Sequence, residues 1–281
     1  MKTAWLWLAS LLLPLPVAAA CLGDPTAPRP VTVSVVPQLP PALLFARWSP
    51  LLEQVGRKTG QCFELTIASS IPEFERTLLK GTPDFAFVNP YHAVMVRQRQ
   101  GYIPLLMDSQ ERLSGILTVA ADSPIQTVAA LDGKTVVFPA PNAFAASLLI
   151  RAHLAGQGIR IEPKYLQTHA SVYRAVALGE ASAAGGVNNT LQREEPTLRK
   201  RLRVLYETPA YAPHPLVAHP RMPAALRESV TSAFIGVAST DTGRQLLDQV
   251  QMPAPVRASY GRDYAPLERL GLDRFVVLDE R

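Results

Sequence analysis

Runs of apolar residues and turn residues alternate along this chain in a repeating order. Val31-Thr32-Val33-Ser34-Val35-Val36 is β-branched and reads as a buried strand ending at Pro37-Gln38. From Ala42 to Thr59, Leu43, Leu44, Trp48, Leu51, Leu52 and Val55 recur three or four apart, the spacing of one helical face, and Gly60 closes it. Phe63–Ile67 reads as the next strand and leads into Ser69-Ser70. Ser70 with Glu73 is a capping-box pattern for a helix that stops at Gly81. Asp84–Val88 is a third strand, followed by Asn89 as cap, Pro90 at the first helical position, and helix to Gln100.

After a strand at Gly115–Ala120 the alternation begins again. Strands are expected at Thr135–Phe138, Pro163–Gln167 and Ala183–Val187, with helices through Leu154 and over Ala170–Leu178. Arg203–Tyr206 and Pro215–His219 return as strands, and helices at Pro223–Val237 and Asp241–Val250 follow. This order predicts α/β architecture, each unit a mostly parallel sheet flanked by helices. The second unit sits inside the first. Residues 21–121 and 210–281 form one discontinuous lobe and 122–209 the other, with the Pro-rich Thr208–Pro215 as a linker.

The N-terminus reads as an address. Lys2, the apolar Ala4–Val17 and Ala18-Ala19-Ala20 make the three-part secretory leader over residues 1–20, too short to span a bilayer as a helix. Export places the chain in the periplasm, where its two cysteines, Cys21 and Cys62, are expected to form a disulfide. It would close a loop of about 40 residues, contributing about 3–4 kcal/mol in the chain-entropy model. Acylation of Cys21 as a lipid anchor is the competing reading, with Ala18 where lipoproteins usually carry Leu.

Composition narrows the function. Of 281 residues 48% are hydrophobic and 18% charged, which a core can satisfy and a disordered chain would not show. The net charge of +5 is spread along the chain rather than gathered into a stripe, so nucleic-acid binding is not expected. Gly133-Lys134-Thr135 resembles the end of a phosphate-binding loop, but Val128 stands where that loop needs Gly. No nucleophile elbow, zinc-protease helix or dinucleotide fingerprint appears, and the five histidines show no metal spacing; neither cofactor nor metal is expected.

Ligands of open α/β sheets bind beyond the carboxyl ends of the strands. Those ends carry Gln38, Ser69, Ser70, Asn89, Tyr91, His92, Asn142, Ala143, Phe144, His169, Asn188 and Asn189. Most are neutral hydrogen-bonding groups, and several open helices, whose free N–H groups and partial positive charge suit an anion or a polar solute. Each also has a plainer role: Ser70 and Asn89 as caps, Phe144 as core, His169 as a solvated side chain. Of Tyr91 and His92, Tyr91 is expected to face the cleft.

The stretches Trp48-Ser49-Pro50-Leu51-Leu52 and Asp84-Phe85-Ala86-Phe87-Val88-Asn89-Pro90-Tyr91 resemble a known family, together with Leu131-Asp132-Gly133-Lys134-Thr135, Thr168-His169 and Gly179-Glu180-Ala181-Ser182. The family is the phosphate, phosphite and phosphonate substrate-binding proteins of ABC transporters, within the type 2 periplasmic binding protein superfamily. The resemblance implies two lobes joined by two crossing segments, closing on a small solute that is handed to a membrane permease. It implies a pocket including Tyr91, the Asn142–Ser147 entry loop, His169 and Asn188. Asn142-Ala143-Phe144-Ala145-Ala146 departs from the Ser/Thr-rich loop of phosphonate binders, and Asn188-Asn189 from the acidic residue often near that strand end. A sensor kinase is the rival partner, and an enzyme with His92 or His169 as base the rival activity. The chain is expected to be a non-catalytic monomer.

Overall fold

A computed structural model describes residues 21–277; the expected leader lies outside the described residues. The chain builds two sheets. The first contains β1 (Leu22–Gly23), β2 (Pro30–Val35), β3 (Cys62–Ile67), β4 (Phe85–Phe87) and β5 (Ile103–Asp108). Helices α1 (Pro41–Thr59), α2 (Ile71–Leu79) and α3 (Pro90–Gln100) connect β2 through β5. The second sheet contains β6 (Gly115–Ala120), β7 (Thr135–Phe138), β8 (Glu162–Tyr165), β9 (Ala183–Val187) and β10 (Leu202–Glu207). Between its strands lie α4 (Ile150–Gly156), α5 (His169–Ala177), α6 (Asn188–Gln192) and α7 (Pro196–Arg199). The chain then re-enters the first sheet as β11 (Leu216–Ala218), and α8 (Ala224–Val237), α9 (Asp241–Gln249) and β12 (Pro255–Arg257) follow.

The strand orders are β1-β3-β2-β4-β11-β5-β12 and β10-β6-β9-β7-β8. Each sheet is mixed rather than mostly parallel. β3, β2 and β4 pair in parallel, as do β9, β7 and β8, where helices link the strands. β11 and β6, which arrive from the other lobe, pair antiparallel on both sides. The crossover direction is thus set by where the chain comes from, which the local pattern does not reveal.

The first crossing comes earlier than expected. β6 bonds to β9 and β10, so the chain passes between lobes at residues 109–114 and not near Asp122. The second crossing runs from residue 208 to 215. The two segments pair through reciprocal backbone bonds between Leu113 and Tyr211, 2.9 and 3.0 Å long. The two segments thus form a two-stranded bridge between the sheets.

Trp48, Leu51, Leu52 and Val55 of α1 are buried, as the periodicity predicts, and Trp48 packs on Phe87 of β4. Strand β5 was not legible: Pro104 interrupts its run, yet alternate residues are buried because β11 and β12 flank it. Cys21 and Cys62 form the disulfide, their Cα atoms 5.2 Å apart, at the point where β1 pairs with β3. No helix among the described residues is long and apolar enough to cross a membrane.

Candidate functional site

A cleft lies where the carboxyl ends of the two sheets meet. From the first lobe it receives Val36-Pro37-Gln38 after β2, Asn89 after β4, and His214 from the second crossing. From the second it receives Ala143–Ala146 after β7, Gln167 and His169 after β8, and Val187 at the end of β9. The space open to atom centres is about 30 Å³.

Local sequence explains how the second lobe presents its donors. Residues Phe144–Leu149 form a π-helical turn that runs straight into α4. The carbonyl of Ala143 accepts from both Ser147 N–H (2.8 Å) and Leu148 N–H (3.1 Å). The N–H groups of 144–146 precede the first such bond and have no acceptor within the helix. Two glycines seat this turn against the sheet. A Cβ at Gly115 would stand 2.2 Å from the Ala145 carbonyl oxygen, and one at Gly185 2.1 Å from that of Ala146. Nearby, Thr168 caps α5 by accepting from Ser171 N–H (3.1 Å). Gln167, just before it, holds a left-handed backbone (φ 67°) that costs a residue with a side chain about 1–3 kcal/mol. That turn brings both Gln167 and His169 to the cleft.

The first lobe contributes an ordered imidazole. His214 is buried, its ring stacks on Phe87 at 26° and 5.6 Å, and its Nε2 lies 2.6 Å from Gln38 Nε2. The Gln38 amide donates here, so the ring proton resides on Nδ1. Burial, with the nearby His92 and His169, pushes the His214 imidazole down to about 3. Burial alone takes His169 to about 4. Both are neutral at neutral pH, and among the described residues no Lys, Arg, Asp or Glu lines the cleft.

Of the residues expected at the site, Gln38, Asn89, Ala143, Phe144 and His169 line the cleft. The others lie elsewhere, for local reasons. Ser69 and Ser70 turn toward α2: Ser70 Oγ accepts from Glu73 N–H (3.4 Å), and Ser69 Oγ donates to the Glu73 carboxylate (2.5 Å). Tyr91, expected in the cleft, lines a separate surface cavity with Met95, Arg99 and Asp273, because the first turn of α3 aims it at the C-terminal segment. His92 turns inward, its Nε2 2.6 Å from Glu75 Oε1. Asn142 is wholly buried and ties the lobes together. It donates to Glu75 Oε2 and to the Val277 carbonyl, both at 2.8 Å, and accepts from Val277 N–H at 2.9 Å. Asn89 caps α3 at 2.7 Å and donates to the Asn142 carbonyl at 3.2 Å. Asn188 and Asn189 brace the first crossing, donating to the Arg112 carbonyl (3.1 Å) and to Glu111 (2.9 Å).

His214 and Gln167 were missed. The available signal for His214 was its place between Pro213 and Pro215 in the linker, which holds it at the mouth of both lobes. Two buried polar atoms next to cleft residues, Ser147 Oγ and His92 Nδ1, have no hydrogen-bond partner. No cluster of metal-ligating side chains occurs among the described residues.

Solved structures share this fold. A binding protein component of an ABC phosphonate transporter from Pseudomonas aeruginosa superposes with a TM-score of 0.75 at 15% identity, covering 86% of this chain and 85% of its own. PhnD1 from Prochlorococcus marinus, in complex with methylphosphonate, superposes with a TM-score of 0.78 at 14% identity, covering 88% and 98%. The periplasmic aliphatic sulphonate binding protein SsuA from Escherichia coli reaches 0.58 at 15% identity, covering 89% and 87%. Among curated proteins, none matches in sequence. Residues 33–264 match the family described as ABC transporter, phosphonate, periplasmic substrate-binding protein, and the chain belongs to that family.

Proposed function

We propose that this protein captures a small tetrahedral oxyanion of the phosphonate, phosphite or phosphate class between its lobes and delivers it to an ABC permease. One observation carries the reading: Ala143–Ala146, at the start of a helix in one lobe, and Gln38 and His214 of the other line one space of about 30 Å³. Such a ligand bridges both lobes, so it stabilises the closed form by contacts available only there. Alanines replace the hydroxyls usual in the entry loop, each a lost bond of about 1.5–3 kcal/mol to an anion. Backbone N–H groups and imidazoles therefore carry more of the recognition here.

Thermal denaturation with methylphosphonate, phosphite and phosphate tests the proposal. At a hundred times its dissociation constant a true ligand adds about 2.7 kcal/mol of stability and raises the melting temperature. If none of the three shifts it, the oxyanion reading is wrong.

A further inference from the structure

An oxyanion held in this cleft would meet partial positive charge from helix termini but no fixed cation among the described residues that line it. Burying an unpaired charge is costly, and neutralising it by proton transfer is the usual escape. Two side chains lining the cleft titrate, and they approach from opposite sides: His169 from the turn after β8 and His214 from the second crossing.

Their surroundings leave them free to accept a proton. His214 touches Gln38 and the Phe87 ring, and feels the charge of His92, which pairs with Glu75. A half-turn of the Gln38 amide would replace its NH₂ by its oxygen and so accept from a protonated Nε2. His169 Nδ1 lies 3.5 Å from Thr190 Oγ1, a hydroxyl able to donate or accept, which in turn meets the Tyr173 phenol at 2.8 Å. Glu194, the carboxylate facing Tyr173, lies beyond that phenol, and no charged group contributes to the depression of His169.

We propose that ligand capture is proton-coupled: the anion's charge is balanced by a proton taken up on the His169–His214 pair, one imidazole from each lobe. The inference rests on the oxyanion reading above and adds what supplies the counter-charge. A unit negative charge about 4 Å from an imidazole, at an effective dielectric of about 20, favours the protonated ring about a thousandfold. That brings an imidazole that ionises at about 4 in the closed cleft to the neutral range. Affinity then rises about tenfold for each unit of acidification over the range in which one proton is bound.

The test is ¹⁵N NMR of the histidine imidazoles in the mature chain, free and saturated with methylphosphonate, between pH 5 and 8. The ³¹P shift of the bound probe reports its own ionisation separately. The expected result is both rings neutral at pH 7 in the free protein and one of them imidazolium in the complex. His169→Gln and His214→Gln, checked for folding by circular dichroism, should each reduce the pH dependence of the dissociation constant. Binding of methylphosphonate with both rings neutral, and with affinity independent of pH once the probe's ionisation is accounted for, overturns the coupling and leaves the oxyanion reading standing. Failure of methylphosphonate, phosphite and phosphate alike to bind at any of these pH values overturns both.

Discussion

Acid should loosen this protein through His214. In the unfolded chain its imidazole ionises near 6.5, whereas in the closed cleft it does so only near 3, because burial and two neighbouring imidazoles oppose its charge. The folded value is the depressed one. Between pH 6.5 and 3, therefore, the unfolded chain binds a proton that the folded chain excludes, and stability falls as the solution is acidified. The contribution is fully present above about pH 6.5. Moving from pH 7 to pH 5 should remove about 2 kcal/mol through this one residue, a sizeable share of the 5–15 kcal/mol typical of a folded domain. Urea unfolding of the ligand-free wild type and of His214→Gln at pH 7, 6 and 5 measures it. The variant should be shallower by about 1.4 kcal/mol per pH unit below pH 6. Parallel curves would refute a buried neutral imidazole in the crossing segment, and with it the closed geometry of the cleft.

Two further substitutions probe the walls of the site. Gly185→Ala places a methyl 2.1 Å from the Ala146 carbonyl and must displace the cleft turn, costing about 1–3 kcal/mol. Gly156→Ala, at the end of α4 with nothing within 4 Å, should instead stabilise by about 0.5–1 kcal/mol, and urea midpoints that do not move in opposite directions would contradict the packing. Asn142→Ala removes the bonds to Glu75 and Val277, costing about 2–3 kcal/mol, and should raise the radius of gyration of the ligand-free protein in solution scattering as the lobes separate. An unchanged midpoint and an unchanged radius would show that Asn142 is no latch.

What the sequence determined by itself is what neighbours within about four residues decide. The caps Ser70 and Asn89 accept from N–H groups three positions on, and in α1 Leu44, Trp48, Leu51, Leu52 and Val55 are buried as their spacing requires, whereas Leu43, expected on the same face, is exposed. The pairing of Cys21 with Cys62 followed from number and compartment, and the carboxyl ends of the strands marked the cleft. Tertiary structure alone decided which residues at those ends face it. A cap such as Asn89 looks the same in sequence whether its amide meets a ligand or, as here, the carbonyl of Asn142 across the interface. Asn188 and Asn189 are held on the first crossing by Arg112 and Glu111, more than seventy positions away. His214 reaches the cleft only because the chain crosses between lobes a second time. β5 is a strand despite Pro104 because β11 and β12 close on it from both sides. In each case the decisive partner is distant along the chain, so no local pattern records it.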